Sequence, residues 1–132
     1  MAIDTGTTLI LIASDTFAKY KAATGAVEDG ATGLLKITAA RYASLKGLNF
    51  VVGGTTFTLP PNGQIWPREL NVAIGGQQDA IYLIVADLGS DSGQGLDFIN
   101  GYTFLERFYS VYDTDNGRVG LANTKYTNAT TN

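Results

Sequence analysis

Short apolar runs separated by glycine and polar residues recur along the chain and predict a mainly β fold. Residues 49–52 and 55–59 are β-prone runs on either side of two glycines, which is a strong hairpin pattern. Residues 109–112 and 118–121 flank Asn116-Gly117, a pair typical of a two-residue type I′ turn. The sequence therefore predicts two antiparallel hairpins, one in the middle of the chain and one near its end.

Other segments predict two further strands and three short helices. The continuous apolar run at residues 81–85 is typical of a fully buried strand, and residues 33–37 form a second candidate. Ser14 precedes an acidic residue and is a typical helix N-cap, Gly25 is placed to end that helix, and Thr38 is a candidate cap for another. We expect helices over residues 14–24, 38–46 and 103–108.

Composition narrows the chemistry that the chain can support. A length of 132 residues, 45% of them hydrophobic, allows one domain with a sizeable core. The absence of Cys and His excludes thiolate nucleophiles, Ser-His-Asp catalysis and the commonest zinc ligand. Any catalysis must therefore use carboxylates, hydroxyls, amines or the backbone, and we expect no metal site and no cofactor.

Charge and hydropathy argue against two classes of partner. The net charge is −3 and the 9 Lys and Arg residues are scattered, so we expect no nucleic-acid partner. No apolar run approaches the ~20 residues that cross a bilayer. The first residues also lack the basic and apolar regions of a signal peptide. We expect no membrane span and no export signal within this sequence.

An Asp-Thr-Gly triplet near the start of the chain is the strongest candidate for a catalytic group. An apolar pair precedes Asp4-Thr5-Gly6, and Thr7, Thr8 and an apolar run follow, which predicts strand, tight turn and strand. Gly6 removes the Cβ that would crowd the turn, and the threonine hydroxyls can hydrogen-bond the Asp4 carboxylate or nearby backbone. The alternative is an ordinary surface turn, in which Asp and Gly are common.

Asp91-Ser92-Gly93 is a rival candidate, because it also places an acid, a hydroxyl residue and a glycine in succession. Its flanks are Leu88-Gly89-Ser90 and Gln94-Gly95, and neither is an apolar strand. A catalytic carboxylate needs rigid support from packed elements on both sides. We therefore interpret this triplet as a surface loop.

The last part of the chain carries motifs that complement the first triplet. Residues 98–101 form a strand-like segment that ends in glycine, residues 103–113 are rich in aromatic residues, and residues 118–122 close the pattern. Together with the Asp-Thr-Gly strand, these motifs resemble the C-terminal lobe of the pepsin-like (A1) aspartic proteases. The resemblance is strongest to secreted basidiomycete enzymes of the polyporopepsin type, and it covers residues 3–126.

The resemblance implies a particular fold. In this family, each lobe has an apolar-apolar-Asp-Thr-Gly strand that is crossed by a later apolar-apolar-Gly strand to form a ψ-shaped loop. The chain would then be a barrel-like, mainly β lobe at residues 1–123, truncated at its N-terminus, with a polar tail at residues 124–132. It departs from the family pattern in three places: Asn100 replaces an apolar residue, Tyr102 replaces the usual Asp, and one apolar residue is lacking before Asp4.

The resemblance also implies roles for the residues around the triplet. Asp4 would be one of two catalytic acids, and Thr5 would tie the active-site loops of the two lobes together. The Gly6 carbonyl and the Thr7 hydroxyl would contact the backbone of the substrate. Thr8 and Gly101 would support the active-site loop.

As a function, the resemblance implies an aspartic endopeptidase that hydrolyses polypeptides at acid pH. This chain holds one credible catalytic aspartate, so we expect it to be inactive alone and to need the missing N-terminal lobe, which would carry the second aspartate. Because the family's leading strands are missing, we expect the chain to be marginally stable, to self-associate, or to pair with a separately supplied N-terminal half. Two alternatives remain: a non-catalytic lobe fragment or binding module, and a homodimeric protease in the retroviral style.

The resemblance further implies an extracellular protein. Asn128-Ala129-Thr130 is the only N-glycosylation sequon, and it lies in the polar tail. We expect Asn128 to be exposed and open to modification.

Overall fold

Short strands dominate the structure, a computed structural model that describes residues 1–132, and a few short helices connect them. The strands form one four-stranded, one three-stranded and two two-stranded sheets. The strands are β1 (Ala2–Ile3), β2 (Ile10–Ile12), β3 (Val27–Glu28), β4 (Leu35–Ile37), β5 (Leu48–Val52), β6 (Thr55–Leu59), β7 (Ile81–Leu83), β8 (Val85–Asp87), β9 (Phe98–Asn100), β10 (Phe108–Asp113) and β11 (Arg118–Asn123). The α-helices are α1 (Ser14–Thr24), α2 (Ala39–Ala43) and α3 (Tyr102–Leu105), and 3₁₀ turns occupy Pro61–Gln64, Arg68–Leu70 and Val72–Ile74.

The four-stranded sheet has the order β1-β9-β2-β8, so β9 lies between two strands that are consecutive in sequence. Strand β9 pairs parallel with β1 and antiparallel with β2. The loop that joins β1 to β2 must therefore cross over the end of β9, which is the arrangement of a ψ-shaped loop. The mainly β fold and this crossing, both expected from the sequence, are confirmed.

The two predicted hairpins are present, although only one has the predicted turn. In the β5–β6 hairpin Val52 pairs with Thr55, and Gly53 and Gly54 both have positive φ angles, of 56° and 79°. A type I′ turn requires positive φ at both central positions, and glycine adopts it without strain. The two-glycine turn predicted here is confirmed.

The turn predicted for the β10–β11 hairpin is wrong. Asp113 pairs with Arg118, so the loop has four residues, and no residue other than glycine has a positive φ. The cause is the Asp113 carboxylate, which accepts hydrogen bonds from Asn116 and from Arg118 Nε at 2.7 Å. These contacts stabilise the longer loop, in which only Gly117 is left-handed, at φ 61°.

The apolar run at residues 81–85 was expected to form one buried strand, and it forms parts of two. All five side chains are buried, yet β7 belongs to the β3-β4-β7 sheet and β8 pairs with β2 in the four-stranded sheet. The chain bends at Ile84, whose N–H donates to Gln64 O while its carbonyl accepts from Ile10 N. One apolar run thus joins two sheets, which its periodicity could not indicate. The strand expected over residues 33–37 is confirmed as β4.

The helices form near the predicted positions with different ends. Helix α1 ends as predicted at Gly25, which has φ 65°, but Ser14 is its first residue and not its cap, because its hydroxyl donates to Asp87 Oδ1 at 2.6 Å. Thr38 caps α2 as expected, accepting from Arg41 N, although the helix ends at Ala43. The helix expected over residues 103–108 is shorter, since Phe108 already begins β10.

Part of the core is a cluster in which aromatic rings from five elements meet. The Phe104 ring stacks on Phe108 with centroids 4.5 Å apart and meets Phe50 edge-on at 5.3 Å. Phe50 in turn contacts Phe98, and Phe57 packs against Phe108. Such aromatic pairs add about 0.5–1.5 kcal/mol each beyond their buried area. They fix β9 and α3, the two elements next to the Asp4 loop.

The polar tail, residues 124–132, packs against the domain. Arg107 is buried, and its guanidinium donates to Ala129 O at 2.6 Å and to Asn62 Oδ1 at 3.0 Å. Thr127 is also buried and donates to Arg107 O at 2.6 Å. Asn128 is exposed, as expected. None of the helices has the length and apolar character required to span a bilayer.

Candidate active site

The loop between β1 and β2 presents Asp4 at the end of the ψ crossing. Ile3 pairs with Asn100, and the Asp4 N–H donates to Asn100 O at 3.1 Å, so β9 fixes the backbone of the aspartate. Thr7 N donates to Asp4 O at 3.4 Å and closes a tight turn. The predicted sequence of strand, turn and strand around the triplet is confirmed.

Both oxygens of the Asp4 carboxylate accept hydrogen bonds from the loop itself. The Thr7 hydroxyl donates to Oδ2 at 2.6 Å, and Gly6 N donates to Oδ1 at 2.9 Å. The hydroxyl of Thr7 first, and the amide of Gly6 second, lower the pKa of Asp4 below its ordinary value. Donors to a carboxylate stabilise its charged form. The loop therefore holds an ionised carboxylate in a fixed orientation.

Helix α3 holds the same loop from the other side. Tyr102 N donates to Thr7 O at 2.7 Å, while Thr103 donates to Thr8 O through both its N–H, at 3.1 Å, and its hydroxyl, at 2.9 Å. A Cβ on Gly101 would collide with the backbone oxygens of Thr7 and Leu9. The absence of a side chain at Gly101 therefore allows the crossing strand to pass against the loop.

The structure brings the sequence-predicted residues together in one small region. Asp4 and Thr7 are half-buried, Thr5, Gly6 and Thr8 are exposed, and Gly101 is buried beneath them. The Thr5 side chain makes no hydrogen bond within the chain. No carboxylate contributes to the pKa shift of Asp4, and no group of three or more His, Cys, Asp or Glu side chains is arranged to hold a metal ion.

Sequence reasoning missed Thr103 and did not foresee the surroundings of Asn100. Thr103 is buried and its hydroxyl reaches the loop, but a threonine in a short helix gives no signal of this. Asn100 is fully buried, and its Oδ1 has no hydrogen-bond partner. A polar residue in an otherwise apolar strand could have indicated such a position, because buried polar groups are normally paired.

The rival triplet lies on the surface, as predicted. Asp91, Ser92 and Gly93 are all exposed. Ser92 donates to the Asp15 carboxylate through its N–H, at 2.9 Å, and through its hydroxyl, at 2.8 Å. This loop is attached to the start of α1, and no strand supports Asp91.

Comparison with known proteins agrees with this geometry. A family model described as eukaryotic aspartyl protease matches residues 1–124. The chain belongs to the eukaryotic aspartyl proteases. This aspartyl protease chain is 69% identical over 130 residues to polyporopepsin from Irpex lacteus, an alignment that covers 98% of the chain and 38% of polyporopepsin. It is 34% identical over 120 residues to gastricsin from Homo sapiens, covering 91% of the chain and 29% of gastricsin.

The fold of this aspartyl protease chain is also that of a solved relative. The crystal structure of the aspartic proteinase from Irpex lacteus matches it with a TM-score of 0.96 at 69% identity, over 98% of this chain and 38% of that one. The pepsin-like fold expected from the sequence is confirmed. The chain spans less than two fifths of the length of these relatives.

Proposed function

We propose that this chain forms the C-terminal lobe of an aspartic endopeptidase and supplies one of its two catalytic acids, Asp4. The observation that supports this most directly is the Asp4 carboxylate, held on both oxygens at the tip of a ψ-shaped loop. A surface turn would not need α3 and β9 to brace it from two sides. The lobe would comprise residues 1–123, with residues 124–132 as a tail packed against it.

The reaction needs a second carboxylate, which another part of the enzyme would supply. Two carboxylates in contact cannot both ionise, so one holds the shared proton and polarises the scissile carbonyl while the other activates a water. Thr7 and Gly6 stabilise the charged form of Asp4. Asp4 would be one member of this pair, and whichever carboxylate is ionised accepts a proton from the attacking water.

The neighbouring residues would bind substrate and the other lobe. The Thr5 hydroxyl has no partner within the chain and is free to tie the active-site loops of the two lobes together. The Gly6 carbonyl would accept from the substrate backbone. The Thr7 hydroxyl has one proton, which it donates to Asp4, so it can only accept a hydrogen bond from the substrate. Thr8 and Gly101 would hold the loop in place.

A chimera provides the test for this function. In polyporopepsin, the 38% of the chain that aligns with this sequence would be replaced by it, and cleavage of an unfolded protein at acid pH would be measured. We expect an active enzyme that a statine-type peptide inhibits and that Asp4→Asn inactivates, whereas the matched control Asp91→Asn keeps full activity. A folded chimera that still cleaves after Asp4→Asn would refute the proposal.

The isolated chain separates this proposal from its two alternatives. With one carboxylate it should show no acid peptidase activity, since loss of a catalytic partner typically costs several orders of magnitude in rate. Activity that disappears with Asp4→Asn would instead favour a homodimer. A folded but inactive chimera would favour a non-catalytic module.

The exposed β10–β11 hairpin supports a further expectation, namely self-association of the isolated chain. Tyr109, Val111, Tyr112 and Val119 on this hairpin are each about half exposed, and the two strands pair with no other strand. Exposed apolar strands are a common route to association. Sedimentation over a range of micromolar concentrations tests this, and a concentration-independent monomer would contradict it.

We also propose that the whole enzyme is a secreted acid protease of fungal type. The identity to polyporopepsin from Irpex lacteus supports this, and the exposed sequon at Asn128 is compatible with it. Expression in a secreting yeast should give a mass increase that a peptide:N-glycosidase removes and that Asn128→Gln abolishes. An unmodified Asn128 in secreted protein would show that the sequon is not used.

A further inference from the structure

A cavity of about 470 Å³ opens between α1 and the segment that follows α2. Its volume falls within the ~300–1,000 Å³ typical of small-molecule sites. None of its lining residues belongs to the Asp4 loop, to β9 or to α3. An inference from this cavity is therefore independent of the proposed protease function.

Three cations line the cavity, and no acidic residue does. Lys19, Arg41 and Lys46 are all exposed, and none forms an ion pair within the chain, whose salt bridges involve other bases. This is unusual in a chain with a net charge of −3, since 3 of its 9 basic residues border one cavity. The cavity therefore complements a negatively charged ligand.

Arg41 lies beside the end of α1. Gly25, which terminates that helix, has no side chain, and a Cβ there would come within 2.8 Å of Arg41 Cζ. The guanidinium thus lies against Gly25, at the end of α1, where it borders the cavity.

At the floor of the cavity, the side chains of Gln64 and Tyr20 have no donor free for an anion. Gln64 is fully buried, and its Nε2 donates to Lys46 O at 2.8 Å and to Leu59 O at 3.1 Å. Its Oε1 accepts from the Tyr20 hydroxyl at 3.0 Å, which uses the only proton of that hydroxyl. The remaining inner surface is largely apolar and includes Ile12 and Leu45.

We propose that this cavity binds a small amphipathic carboxylate. The charged head lies among the three cations, because the side chains of Gln64 and Tyr20 have no free donor. The aliphatic or aromatic body lies inward, against the apolar surface around Tyr20. Charge selects an anion, and the apolar floor selects one with a hydrophobic body over an inorganic ion.

Octanoate is a suitable probe, with octan-1-ol and octylammonium as controls of the same chain length. Each would be titrated into the ¹⁵N-labelled chain and followed by amide chemical shifts. We expect octanoate to saturate with a Kd of about 1 mM or tighter and to shift residues of α1 and residues 44–48. Octan-1-ol should bind about tenfold more weakly, and octylammonium should leave these residues unchanged.

Charge-removing variants locate the head of the ligand. Arg41→Gln combined with Lys46→Gln should weaken octanoate binding by about tenfold, and added salt should weaken it in the wild type. Lys125→Gln removes an exposed cation that does not line the cavity and should leave the Kd unchanged. The proposal is overturned if octanoate does not saturate, if octan-1-ol binds equally well, if the shifts lie elsewhere, or if the double variant binds like the wild type.

Discussion

Gly101→Ala tests whether the close packing of β9 against the Asp4 loop is required by the fold. The backbone at Gly101 has φ −82° and ψ −164°, an extended conformation that alanine adopts freely. Any cost must therefore be steric. The added methyl would collide with the backbone oxygens of Thr7 and Leu9, and backbone atoms in a braced loop cannot rotate away as a flexible side chain could.

The expected loss of stability is at the upper end of the range for overpacking. Inserting a methyl into a tightly packed site costs about 1–3 kcal/mol, and two backbone contacts at once favour about 3 kcal/mol. With a urea m-value of about 1–3 kcal/mol/M, the unfolding midpoint should fall by about 1–3 M. The amide shifts of Thr7 and Thr8 should also change, because the loop must move away from β9.

Gly30→Ala is the matched control for this prediction. A Cβ at Gly30 would meet no atom within 4 Å, and its φ is not in the left-handed region. This variant should be neutral or slightly more stable, by up to about 1 kcal/mol. If Gly101→Ala were as stable as Gly30→Ala, with unchanged shifts for the loop, the steric argument would be wrong.

Three other variants test the site and its support. Thr7→Val removes a donor and should raise the pKa of Asp4, seen in an NMR titration of its carboxyl carbon. In the wild type the folded pKa is lowered, so the stability that Asp4 contributes is complete above its unfolded pKa and is lost as pH falls through the folded one; the variant should lose less stability, over a narrower range of pH. Phe104→Ala should lower the free energy of unfolding, measured in urea, by about 3–5 kcal/mol. A decrease below about 1 kcal/mol would mean that the aromatic cluster is not part of the core. Arg107→Gln should expose the amides of residues 124–132 to hydrogen exchange while β2 and β9 stay protected, whereas unchanged exchange would show that the tail does not depend on this guanidinium.

Local sequence signals were sufficient for much of the candidate site. The Asp4 turn follows from an apolar pair, a residue without a Cβ and the hydroxyl of Thr7, all within a few residues of each other. The β5–β6 turn follows in the same way from two adjacent glycines. Recognition of the ψ crossing needed more than local signals, because its second strand lies far along the chain, and the resemblance to a known family supplied that pairing.

Features that depend on distant partners were decided only by the tertiary structure. The hydroxyl of Ser14 can cap a helix or donate to Asp87, and the approach of β8 selects the second. The run at residues 81–85 bends at Ile84 because its first part pairs in one sheet and its last part in another. Local propensity cannot distinguish between such alternatives, since the energy that separates them comes from contacts with other elements.

The same reason explains which supporting residues the sequence did not reveal. Nothing in the sequence around Thr103 or Arg107 distinguishes them. They support the structure because folding places Thr8 O beside the Thr103 hydroxyl and a carbonyl of the tail beside the Arg107 guanidinium. The cations of the cavity are likewise scattered in sequence, at positions 19, 41 and 46. The sequence by itself determined which carboxylate is presented and in what kind of turn. The tertiary structure decided which residues brace that turn and which distant charges share a surface, because bracing and shared surfaces depend on contacts between segments far apart in the chain.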